Sequence, residues 1–113
     1  MKKFILATVA VVSLSACMDD ETKWLYEGNP DGLNRQEWAQ AYPDLKLGTA
    51  GRWLQSLDEK GFIKDKALVS GPEFKQNAQK LADCLDSSIN VSQAETNHLV
   101  ASCVQTMGWA SNS

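Results

Sequence analysis

The chain reads as a small all-α domain of about four helices. Three observations predict this. Helix-capping signals recur at Asn34, Thr49, Ser70 and Ser92. Apolar residues after Ser70 and after Ser92 return at steps of three and four, which places them on one face of a helix. No stretch alternates apolar and polar residues for long enough to make a strand.

The elements follow in order. Lys23 to Gly32 mixes aromatics with turn residues, and Trp24, Leu25 and Tyr26 read as an extended piece or a short helical turn. Asn29-Pro30-Asp31-Gly32 is a turn: Pro presets φ, Asp bonds nearby backbone, and Gly permits positive φ. Asn34 caps the first helix, with Glu37 reaching back and Leu33 and Trp38 as a hydrophobic staple. Pro43 ends that helix near Ala41. Thr49 caps a second helix, Ala50 to about Lys60, closed by Gly61 with Phe62 folding back on Leu57. Gly48-Thr49-Ala50-Gly51 therefore reads as a helix start and not as a phosphate loop. Ala67 to Val69 reads as an apolar connector. Ser70-Gly71-Pro72-Glu73 reads as a capping box before a third helix bearing Phe74, Ala78, Leu81 and Leu85 on one face. Ser92-Gln93-Ala94-Glu95 reads as another capping box. The fourth helix then carries Thr96, Leu99, Val100, Cys103, Val104 and Met107, and Gly108 and Trp109 close it. Ala110 to Ser113 is small and polar and reads as a frayed tail.

Ahead of these elements stands Met1 to Cys17. Lys2 and Lys3 give a positive start, Phe4 to Val12 is an apolar run broken only by Thr8, and small residues follow. That order describes a secretory signal. The run is far shorter than the roughly 20 residues a transmembrane helix needs. Leu14-Ser15-Ala16-Cys17 resembles the lipobox of bacterial lipoprotein precursors, and all four positions match. The resemblance implies cleavage before Cys17, a diacylglyceryl thioether on its sulfur and usually an acyl chain on its amine. Two or three acyl chains make a stable anchor where one is marginal. Met18, not Asp, follows the cysteine, which under the same resemblance points to the outer membrane with the domain facing the periplasm. The expected organisation is 1–16 signal, 17–22 lipidated cysteine and tether, 23–109 helical domain, and 110–113 tail. The five residues 18–22 reach at most about 3.5 Å each, so the domain is held close to the bilayer.

The same resemblance removes Cys17 from the cysteine count and leaves Cys84 and Cys103. Export implies an oxidising compartment, and the pair then reads as a disulfide joining the last two helices. It closes a loop of about 20 residues, worth about 3 kcal/mol in the chain-entropy picture. Cys103 falls about ten residues into the fourth helix, roughly 15 Å along it. The connecting loop must therefore climb past the third helix, with Ile89 and Val91 packing against the fourth. One histidine, His98, leaves no set of four zinc ligands, so no metal is expected.

With 16 of 113 residues in the signal, 97 remain, enough for one small domain. The signal takes two of the 11 Lys and Arg and none of the 14 Asp and Glu, so 9 bases face 14 acids and the mature net charge is −5. No basic run follows Lys3, and phosphate binding needs clustered bases; nucleic acid is not an expected partner. No catalytic residue is assigned and no cofactor is expected: His98 has no nucleophile beside it, and the acidic pairs Asp58-Glu59 and Asp83/Asp86 read as solvated helix faces.

Four tryptophans are the feature above background. Trp38, Trp53 and Trp109 fall at caps and staples and read as core. Trp24 and Tyr26, beside the tether, read either as a small core flap or as an anchor facing a partner. Lys23-Trp24-Leu25-Tyr26-Glu27-Gly28-Asn29-Pro30-Asp31 resembles the segment that follows the lipidated cysteine in small plasmid-encoded entry-exclusion lipoproteins, over about ten residues. The expected function is a membrane-anchored envelope lipoprotein, non-enzymatic, acting as a protein-binding or structural component. The alternative is a protective lipoprotein that blocks a foreign protein or a conjugation machine.

Overall fold

The computed structural model describes residues 22–111. It is helical throughout: α1 over 22–26, α2 Arg35–Gln40, α3 Pro43–Glu59, α4 Ala67–Ser70, α5 Phe74–Ser88 and α6 Thr96–Thr106. The four expected helices are α2, α3, α5 and α6. The signal stretch, Cys17 and the tether as far as residue 21 lie outside the described residues, as do 112–113; Thr22, expected as the last residue of the tether, lies in α1.

The core is built around α3 and α5, which share the most extensive contact. On α5 the residues Ala78, Leu81 and Leu85 are fully buried, as their spacing requires. Leu54 of α3 and Leu99, Val100, Cys103 and Val104 of α6 complete the interior. α2 has only six residues, too few to persist alone. It is held by Trp38, which is 1% exposed and whose indole N–H donates to Asp86 Oδ1 at 2.8 Å. Its Asn34 cap forms both bonds of the capping box with Glu37.

Two helix ends close identically. Gly61 N–H donates to Asp58 O at 3.0 Å and Phe62 N–H to Leu57 O at 2.8 Å. Gly108 N–H donates to Gln105 O at 3.0 Å and Trp109 N–H to Val104 O at 3.0 Å. Both are Schellman closures, with the glycines at φ 83° and 77°. The segments that leave them meet. Ile63 and Ala110 form an isolated antiparallel bridge, with Lys64 N–H donating to Trp109 O and Ser111 N–H to Phe62 O, each at 2.9 Å. Ser111 Oγ–H adds a bond to Gly61 O at 2.8 Å. The expected frayed tail is thus corrected at Ala110 and Ser111, because the two helix ends offer each other unpaired backbone groups.

Several local expectations are corrected for physical reasons. α3 begins at Pro43, not at Ala50; the proline that ends α2 also occupies the first turn of α3, where its missing N–H costs nothing. Thr49 is mid-helix, fully buried, and its Oγ1 accepts the Asn29 N–H at 2.9 Å. Ala67 to Ser70 forms one helical turn begun by Asp65, whose Oδ1 accepts the Ala67 N–H. Ser70 belongs to that turn and donates to Lys66 O, so it does not cap α5. Ser92 Oγ accepts the Ala94 N–H in a local turn, and α6 starts four residues later at Thr96.

Cys84 and Cys103 are bonded, with Cα atoms 6.1 Å apart. Cys84 stands four residues before the end of α5 and Cys103 seven beyond the start of α6. The height difference is only about 4–5 Å at 1.5 Å per residue, smaller than expected, because α5 runs longer and α6 starts later. Ile89 packs on the core as expected. Val91 does not: it is 86% exposed at the outside of the loop.

Candidate functional site

Trp24 and Tyr26 belong to α1, which lies across α3 on a seat of small residues. Gly48, Thr49, Ala50 and Gly51 are all buried. A Cβ added to Gly28 would lie 2.0 Å from the Gly48 carbonyl carbon, and one added to Gly48 would lie 2.3 Å from the Gly28 nitrogen. Backbone therefore meets backbone there, an approach that only glycine permits. A Cβ on Gly51 would strike the Trp24 ring at 2.6 Å. The Asn29 N–H bond to Thr49 fixes the end of the segment. The turn that follows is closed by Asp31 N–H to Asn29 Oδ1 at 2.8 Å and by Gly32 N–H to Asn29 O at 3.1 Å.

On this seat Trp24 is half-buried, its ring edge-on to Phe74 with centroids 5.0 Å apart. It packs against the domain's own core and separates two clefts. One, of about 350 Å³, is lined by Lys23, Glu27, Asp44, Leu47 and Lys75. The other, of about 630 Å³, runs from Thr22 and Gln55 to Val69 and Pro72. Tyr26 points outward and is 66% exposed. The Arg52 guanidinium lies 5.3 Å from its ring centre and donates from Nε to Leu25 O at 3.3 Å. Of the two residues, Trp24 stabilises the flap and Tyr26 with Arg52 faces outward.

The titratable groups singled out in the sequence are dispersed. His98 is exposed on α6. Asp58 pairs with Lys66 at 2.6 Å, and Asp83 accepts from Gln79 at 3.0 Å. Asp86 joins α2, α3 and α5: its Oδ1 accepts from Trp38 and from Lys46 Nζ at 2.9 Å, and Lys46 lies 5.5 Å from the Trp38 ring centre. Among the described residues no three His, Cys, Asp or Glu side chains come together as a metal site, and no helix is long and apolar enough to cross a membrane.

A second surface was not legible in the sequence. The connection 89–95 between α5 and α6 is held at both ends by one side chain. Arg35 Nη1 donates to Ala94 O at 2.8 Å and Nη2 to Ile89 O at 3.1 Å. Asn90 Nδ2 donates to Asp86 O at 3.1 Å, and Val91 N–H to Ser88 O at 3.1 Å. The bonds from Arg35 cross 54 and 59 positions to backbone carbonyls, which carry no residue-type signal. Buried Thr96 donates to Leu33 O, tying the start of α6 to the segment before α2. No protein-family model, curated protein or solved structure matches the chain.

Proposed function

We propose that the protein is a membrane-anchored lipoprotein of the bacterial envelope, tethered through acylated Cys17, and that it acts there without catalysis by binding another protein. The observation that carries the reading is the glycine seat. Four residues, 18–21, lie between Cys17 and Thr22 of α1, and the described chain is locked to α3 from Trp24 to Asn29 by backbone contact and the Thr49 bond. A domain joined so directly to an anchor is held at the bilayer, facing a limited set of neighbours, instead of ranging on a stalk. Its negative charge keeps it off anionic headgroups. The lipobox and the position of Met18 support an outer-membrane address facing the periplasm.

The alternative, protection against a foreign protein or a conjugation machine, rests on the aromatic and Asn-Pro segment Lys23 to Asp31. Tyr26 is the aromatic of that segment which remains available to a partner. Recovery of the tagged full chain from chemically crosslinked envelopes tests both. A stoichiometric partner encoded by the same cell supports the structural component. A partner found only when a foreign element is present supports protection. A protein recovered alone from both preparations refutes binding as its role.

A further inference from the structure

We propose that residues 18–21 dock on the domain as one further turn of α1, with Met18 inserted in the cleft between α1 and the start of α5. The occupant of that cleft is thus the chain's own N-terminal segment. The docking itself does not depend on acylation of Cys17. Its consequence, a domain held to the membrane in one orientation, rests on the anchored reading above.

Three observations carry it. The first is where the segment joins the domain. Thr22 itself lines the cleft of about 630 Å³, together with Trp24, Leu25, Val69, Pro72 and Phe74. That volume falls in the range of about 300–1,000 Å³ that accommodates a small ligand. Residues 18–21 enter at its rim, so their attachment gives them an effective concentration on the order of millimolar, which any free occupant has to match. The second is spacing. Met18, Thr22 and Leu25 follow one another at steps of four and three, which is one face of a helix. Thr22 and Leu25 already face the cleft, and one more turn of α1 carries Met18 onto the same face. Methionine is unbranched and polarisable, so it fills irregular apolar gaps and packs well on aromatic rings. Trp24 and Phe74, with centroids 5.0 Å apart, offer it two. The third is charge. Asp19, Asp20 and Glu21 fall in the first turn of the prolonged helix, where the macrodipole favours acids. Asp19 stands four residues before Lys23 and Asp20 three, the favourable order for an acid and a base on one helix. Lys23 lines the neighbouring cleft with Glu27 and Asp44, and Lys75 lines both clefts. Among the described residues neither lysine is paired with a carboxylate. The docked turn sets Cys17 about 8 Å from Thr22, against roughly 17 Å for an extended tether. The face that bears the cleft is then the one turned to the anchor.

The test uses the full-length chain in its own cells, with a diazirine amino acid replacing one of two exposed residues. Ser70 lines the cleft, and Gln105 lines the groove beside Leu57 and Phe62. Peptide mapping after irradiation reads the adduct. The expected result is an intramolecular adduct from position 70 to residues 18–21 and none from 105. Met18→Ser lowers its yield about fivefold or more, and Met18→Leu, which keeps the apolar volume, holds it within about twofold. Lys75→Glu lowers it about two- to threefold, as a screened surface pair allows. An adduct from 70 only to lipid or to another protein, no adduct to 18–21, or a yield that Met18→Ser leaves unchanged overturns the proposal. The mass of the N-terminal peptide separates this from the anchored reading. Acylated Cys17 without the adduct overturns the docking alone. The adduct with an unmodified Cys17 upholds the docking and overturns the anchor.

Discussion

Replacing Gly48 by alanine sets two physical effects against each other. In an isolated helix the change is favourable by about 1 kcal/mol, because alanine loses less backbone entropy than glycine. In this fold the new Cβ would stand 2.3 Å from Gly28 N, 2.7 Å from Gly28 Cα and 2.7 Å from Trp24 O. All three are backbone atoms, so no side-chain rotation relieves the clash. The α1 segment must retreat by about 1 Å to restore ordinary contact. Retreat stretches the 2.9 Å bond from Asn29 to Thr49 and opens the contact between Trp24 and Phe74. Overpacking of this kind costs about 1–3 kcal/mol and the weakened hydrogen bond about 1 more. The net expectation is a loss of about 1–3 kcal/mol, seen as a fall in Tm of about 5–15 °C for a domain of this size. Thermal unfolding followed by circular dichroism measures it. A Tm that rises, as helix propensity alone demands, refutes the seat and with it the fixed link between tether and domain.

Other substitutions test the remaining constraints. Cys103→Ala removes the link between α5 and α6 and lowers stability by about 3 kcal/mol in denaturant titration. Reduction of the wild type reproduces that loss and raises its intact mass by two hydrogens. A mass unchanged by reductant, indicating free thiols in the isolated protein, refutes the bond. Gly61→Ala and Gly108→Ala each cost about 1–2 kcal/mol through the left-handed backbone alone, since a Cβ at either position meets nothing within 4 Å. Asp86→Ala removes the acceptor shared by Trp38 and Lys46. It costs about 1 kcal/mol and shifts tryptophan emission, while Asp86→Asn, which keeps an acceptor, costs less.

The sequence shows local chemistry well and tertiary chemistry poorly. Gly61 and Gly108 were legible because a left-handed closure needs only its own backbone and one residue type. The α5 face was legible because burial follows helical spacing. Asn34 capped as expected since its box is self-contained. Ser70 and Ser92 carry the same motif, yet their hydroxyls are taken by the preceding helix at Lys66 and by a turn at Ala94. A capping pattern does not say which of two local uses wins. Thr49 resembled a cap, and its hydroxyl serves instead a backbone N–H twenty positions earlier. The run of small residues around it did carry a signal: in a helical context, Gly48 to Gly51 marks a face that another segment must approach closely. The Arg35 fork had none, and neither did the exposure of Val91, which depends on where the loop points.

The anchor at Cys17 is the claim on which the proposed role depends. Mass spectrometry of the N-terminal peptide, taken from protein extracted from envelope membranes, tests it most directly. The expected peptide begins at Cys17 and carries the mass of a diacylglyceryl group, with or without a further acyl chain. A peptide that begins at Met1, or an unmodified Cys17 at any position in the chain, contradicts it.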